Sequence, residues 1–184
     1  MRYFLGFLAA VGLIIVVFIL LLRGFTHHAA APTNQITLSD YANSQTVVQI
    51  SVDGPINANQ NHVGYQITVG RDSASLQVFS GYQGTVTTQK TYPNNQAAYD
   101  SFLKALSVYS FTKGNADSKL ADERGTCPLG DRYTYSIVSG GQNVQRYWGT
   151  SCGGGTFQGK GIQVRELFIK QIPDFSQLTK GLIL

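Results

Sequence analysis

Two patterns of hydrophobic positions divide the chain. From Tyr3 to Leu22 the residues run on without a charge. As a helix rising about 1.5 Å per residue, a run of about twenty residues spans about 30 Å, the hydrocarbon thickness of a bilayer. This predicts a single transmembrane anchor over residues 1–22. A cleaved signal peptide is the competing reading, with Ala29-Ala30-Ala31 as its cutting site. Its apolar region would be only about 7–15 residues long, and these alanines stand well beyond the apolar run. Arg2 and the terminal amine precede the run and Arg23 follows it, a slight bias towards a cytoplasmic N-terminus. Residues 23–44 are small, polar and aperiodic, and read as a polar spacer.

The second pattern begins near residue 45 and alternates. Thr46, Val48, Ile50 and Val52 share one parity, and Val63, Tyr65, Ile67 and Val69 repeat it. Leu76 and Val78 follow, then Val86 among threonines. A period of two with β-branched residues predicts half-buried strands. Asp53-Gly54-Pro55, Gly70-Arg71-Asp72-Ser73 and Gly81-Tyr82-Gln83-Gly84 supply turns between them. The segment 45–91 therefore reads as an antiparallel meander of about four strands. The period then changes. Tyr99, Phe102, Leu103 and Leu106 fall on one helical face behind Asn94-Asn95, which offers an N-cap.

After a polar connection, Arg132–Val138 and Gln142–Gly149 read as a hairpin around Gly140-Gly141. A tight two-residue turn sets Tyr133 opposite Trp148, Tyr135 opposite Arg146 and Ile137 opposite Val144. Tyr133, Tyr135, Arg146 and Trp148 then share the core-like face, and Arg132, Thr134 and Tyr147 share the other. A last helix is expected over about 161–172, with Val164, Leu167 and Phe168 inward and Pro173 as its stop. The fold class is α+β. It comprises an N-terminal transmembrane helix, an antiparallel β-meander packed by a helix, a disulfide-closed β-hairpin and a C-terminal helix. The domains are 1–22, 23–44 and 45–184.

The disulfide comes from the only two cysteines, Cys127 and Cys152, which flank the hairpin. Strand pairing brings its outer ends within reach of the geometry a disulfide requires. Closing a loop of about 26 residues is worth about 3 kcal/mol in the chain-entropy description. Such a bond implies an oxidising compartment. The chain also holds no N-x-Ser/Thr sequon, which favours a bacterial envelope over a glycosylated surface.

Composition narrows the function classes. Charged residues are only 13%, against about 25% in an ordinary soluble domain. The net charge is +4, and Arg2 and Arg23 beside the apolar run supply two of it. No basic run concentrates the remainder, so a nucleic-acid face is not expected. His27 and His28 are adjacent but lack a third ligand, so no metal and no cofactor is expected.

Gly154-Gly155-Thr156-Phe157-Gln158-Gly159-Lys160 matches G-x-x-x-x-G-K, the phosphate-cradling loop. Gly161 stands where that loop needs a hydroxyl for Mg²⁺, and the preceding strand belongs to a hairpin. The motif reads better as a connection turning sharply beside Cys152. Asp122, Glu123 and His62 are the residues a hydrolase would have to use. The hairpin is richer: Arg132, Tyr133, Tyr135, Arg146, Tyr147 and Trp148 are the residue types that dominate binding surfaces. The function expected is a non-enzymatic, membrane-anchored binding module outside the cytoplasm, with a protein, peptide or glycan partner. A cell-envelope hydrolase and a structural subunit of a membrane complex are the alternatives.

Protease added to spheroplasts should digest the domain beyond about residue 45 while leaving a fragment that contains Tyr3–Leu22 in the membrane. A domain protected until the membrane is dissolved would reverse the orientation.

Overall fold

The computed structural model describes residues 37–42 and 45–182. The expected anchor, most of the spacer, and Ile183 and Leu184 lie outside them. Six strands form one antiparallel sheet: β1 Val47–Asp53, β2 Val63–Val69, β3 Ser73–Ser80, β4 Thr85–Pro93, β5 Arg132–Ser139 and β6 Gln142–Thr150. Their order is β4-β3-β2-β1-β5-β6. The meander and the hairpin are thus one sheet, joined where β5 pairs with β1. Helices α1 Gln96–Val108, α2 Gly161–Ile169 and the short α3 Phe175–Leu178 follow their strands in the chain.

The alternating pattern explains which face is covered. Val48, Ile50 and Val52 of β1 pair with Val69, Ile67 and Tyr65 of β2, and with Ile137, Tyr135 and Tyr133 of β5. Leu76, Val78 and Ala74 continue the row in β3. Onto it pack Tyr99, Phe102, Leu103 and Leu106 of α1 and Val164 and Phe168 of α2, all buried. The core also reaches back into the 23–44 segment, where Leu38 and Ala42 are buried. The opposite face is polar, with Gln49, Ser51, Thr134 and Ser136 at paired positions. A period of two cannot bury both faces of such a sheet, and only one carries an apolar row.

Helix α1 starts where Asn95 accepts a hydrogen bond from the Ala98 amide. It ends in a two-bond cap before Lys113-Gly114. Ser110 takes a left-handed φ of 57°, and its amide and that of Phe111 donate to Ser107 and Leu106. The cap sends Phe111 into the core, fully buried. Helix α2 stops at Ile169, shorter than the expected reach to Ile172, because Pro173 disfavours helical geometry in the residue before it.

The hairpin turns on Gly140 and Gly141, both with positive φ. Its register differs from the simple expectation. Val138 pairs with Asn143 but Ile137 pairs with Gln145, so Val144 is an extra residue bulged out of the ladder. Beyond the bulge every partner moves by one position. Tyr135 faces Tyr147, Thr134 faces Trp148 and Ser136 faces Arg146. The two faces of β6 are therefore exchanged relative to the sequence expectation. Tyr147 lies on the helix side of the sheet, and Trp148 and Arg146 lie on the polar side with Arg132. Trp148 is buried nonetheless, because the connection 114–131 folds over it. Its Nε1 donates to the Leu120 carbonyl at 2.6 Å, and its backbone is held by Thr156 and Phe157. Cys127 and Cys152 are bonded, with Cα atoms 5.7 Å apart.

Trp148→Ala should cost about 3–5 kcal/mol, the usual loss for a buried aromatic. Trp148→Phe should cost less, since it keeps most of the ring and forfeits the bond to Leu120, about 1 kcal/mol. Urea denaturation of both variants would rank them. Equal losses would mean that the connection, not ring burial, carries the stability.

Candidate functional site

On the helix side of the sheet, at the end of the hairpin, lies a cleft of about 400 Å³. Strand β5 contributes Tyr133 and Tyr135. The chain beyond β6 contributes Ser151 and Phe157, and α2 contributes Gly161, Ile162 and Arg165. The glycine-rich connection builds this wall. After Cys152 the chain doubles back on β6, so that Gly155 pairs with Gly149 and Phe157 pairs with Gly114. A Cβ on Gly155 would fall 2.3 Å from the Trp148 carbonyl oxygen. One on Gly159 would fall 2.5 Å from that of Ser110. Lys160 donates its amide to Tyr109 and lays its ammonium 5.9 Å from the Tyr109 ring centroid. The G-x-x-x-x-G-K pattern thus serves close backbone packing around the end of α1.

That packing sets Phe157 over Tyr135, ring centroids 3.9 Å apart and nearly parallel. Ile162 remains 65% exposed at the mouth. Arg165 reaches across, its guanidinium 5.4 Å from the Tyr133 ring centroid and its Nη1 donating to the Tyr133 hydroxyl at 3.2 Å. That hydroxyl donates in turn to Asp131 Oδ2 at 3.1 Å. Burial pushes the phenol of Tyr135 up and that of Tyr65 up to about 12, and the Arg165 charge opposes both shifts. The cleft therefore combines apolar aromatic walls, phenol hydroxyls and a guanidinium.

Of the six binding candidates read from the hairpin, Tyr133 and Tyr135 line this cleft. Tyr147 is half-buried under Gly114, whose Cβ would fall 2.5 Å from its ring. Arg132, Arg146 and Trp148 lie on the other face of the sheet. Arg132 is 5% exposed and donates to the Asp53 carboxylate and the Gly54 carbonyl. Arg146 donates to the Ala121 carbonyl and pairs with Glu123. Those contacts exist because the bulge at Val144 turned Arg146 and Trp148 towards the 114–131 connection. Phe157, Ile162 and Arg165 escaped the sequence reading, since no local pattern marks them. The signal available was their position around a glycine-rich turn beside an aromatic strand.

The residues a hydrolase would need are held in separate pairings. Asp122 forms a bidentate bond with Arg124, whose hydrogen bonds hold its carboxyl down to about 2. An ionised carboxylate cannot serve as a general acid. Glu123 is paired with Arg146. His62 is 2% exposed, stacks on Tyr82 and contacts Asp53 Oδ1 at 2.8 Å and the Pro55 carbonyl at 3.2 Å. Among the described residues, no group of three or more His, Cys, Asp or Glu could hold a metal, and no helix is long and apolar enough to cross a membrane.

Compared with known proteins, the chain matches no protein family and no curated protein.

Because Tyr65 has a raised phenol pKa, its protonated form favours the folded state. That contribution is complete below the ordinary value of 10.0 and should be lost as pH rises through about 12. Arg165→Gln removes the opposing charge and should move the Tyr65 transition higher still. Phenolate absorbance and denaturation midpoints across this range would measure both, and an unmoved transition in the variant would separate Arg165 from the phenol.

Proposed function

We propose that this chain is a membrane-anchored module that binds a partner outside the cytoplasm and holds it in the Tyr133–Tyr135–Arg165 cleft. The cleft carries the reading. It is large enough for a side chain or small ligand, and its lining of Tyr, Phe, Ile and Arg is of the kind that anchors binding hot spots. Among the described residues Arg165 forms no ion pair, unlike Arg132 and Arg146, so its charge is available to a ligand. A cation beside apolar walls suits a peptide segment of a protein partner better than a neutral glycan.

The anchor in this reading is the charge-free run Tyr3–Leu22, and the address follows from it together with the Cys127–Cys152 bond. The module itself is the rigid sheet, with the cleft at one end of the hairpin. The polar face of the sheet, where Arg132 and Arg146 are already paired, is not the working surface.

A photo-cross-linking amino acid at Ile162 should capture a discrete partner in intact cells that make the protein. The same group at Gln89, exposed on β4, should capture none. The Ile162 adduct should disappear when Tyr133→Ala is added to the same chain. Identical adducts from both positions, or none from Ile162, would refute the cleft as the binding surface.

A further inference from the structure

We propose that the cleft is a receptor for the carboxylate of an apolar ligand, held by Arg165, the Tyr135 hydroxyl and the first turn of α2. The proposal rests on the reading of the cleft as a binding site and specifies its ligand.

Three donors converge there without an acceptor. Arg165 carries five N–H groups. One goes to the Tyr133 hydroxyl, and no carboxylate takes the others among the described residues. Tyr135 is 3% exposed, lines the cleft, and its hydroxyl has no hydrogen-bond partner among the described residues. The oxygen opens onto the cleft, where a ligand acceptor would take the place of water. The amides of Gly161, Ile162 and Gln163 likewise find no acceptor, and Lys160 supplies no side-chain cap to α2. Free first-turn amides and the helix dipole favour an anion. The groups are neighbours: a Cβ on Gly161 would sit 3.0 Å from the Tyr135 hydroxyl oxygen. Glycine at this position keeps the space between phenol and helix open.

Charge and shape select the anion. One guanidinium and a partial helix charge match a single negative charge. Asp131, one hydroxyl away through Tyr133, opposes a second one, so a phosphate dianion fits poorly. The Tyr133 hydroxyl already donates to Asp131, which leaves Tyr135 as the phenol donor. Phe157 and Ile162 form the apolar part of the wall, which suits an aromatic or branched body on the carboxylate. Two sources share this chemistry: a small free acid, and the C-terminal residue of a peptide.

The test is calorimetric titration of the full chain in detergent. The probes are 3-phenylpropanoate, its neutral amide, inorganic phosphate, and a short peptide ending in phenylalanine as free acid or as amide. The acid should bind about ten-fold more tightly than the amide. Arg165→Gln should erase that difference. Tyr135→Phe, which keeps the stacked ring, should weaken the acid several-fold and leave the amide unchanged. Asp131→Asn should tighten every anion. A free-acid peptide that outbinds 3-phenylpropanoate assigns the chain terminus as the source; equal affinities assign the small acid.

Equal binding of acid and amide would overturn the proposal. So would a preference that survives Arg165→Gln, phosphate binding above the acid, or no binding of any probe at about 10 mM. If the Ile162 cross-link still captures a partner in that case, only the carboxylate assignment falls. Carboxylate binding without any cross-linked partner would instead leave this site standing and remove the partner-binding role.

Discussion

The pairing of β1 with β5 is the contact on which the remainder of the molecule depends. Strand β1 sits inside the sheet with apolar side chains that are fully buried or nearly so, and it has β2 on one side from its own meander. Its other neighbour arrives much later in the chain. Asp53 and Arg132, partners at the end of this pairing, are 79 residues apart. Closing so long a loop costs entropy before any contact repays it. The return comes from several contacts at once: Tyr135 and Ile137 join the apolar row, and Arg132 brings its guanidinium onto the Asp53 carboxylate that also contacts His62. Docking of β5 also positions Tyr133 and Tyr135 to line the cleft. Without that strand the aromatic wall of the cleft has no support, although α2 still packs on α1 through Phe102 and Phe168.

Most of the architecture was legible because its signals are periodic. Val48, Ile50 and Val52 announce a strand by parity alone, and Asn95 followed by Tyr99, Phe102, Leu103 and Leu106 announces a capped helix. The Gly140-Gly141 pair announces the hairpin. The register of that hairpin was not legible. A period of two says which residues share a face and nothing about how many residues lie between partners, so one bulged residue at Val144 inverts every later assignment. The fate of Trp148 then turns on Leu120, a residue of a loop with no pattern of its own.

The candidate site shows the same division. Tyr133 and Tyr135 stood out as aromatic residues on one strand and do line the cleft. Phe157, Ile162 and Arg165 are dispersed, and tertiary packing assembles them. The glycines between β6 and α2 resembled a phosphate loop because both uses need backbone without side chains. Here Gly155 and Gly159 let one backbone pass close to another, and Lys160 rests on an aromatic ring. A glycine motif reports crowding at the main chain; what crowds it is decided by the fold.

The covalent bond between Cys127 and Cys152 has a bearing on biogenesis. Ser151, which lines the cleft, is the residue before Cys152, and it exchanges two hydrogen bonds with Asp131 just before β5. The bridge clamps the two chain ends that carry this wall. A chain that has not met an oxidant holds this end of the wall by those hydrogen bonds and by the return of the chain onto Trp148, at the rim of the sheet where fraying is easiest. Competence of the cleft is therefore tied to oxidation, with the bridge closed first and the wall settled after it. The same dependence leaves this end of the cleft looser for as long as the two thiols stay reduced.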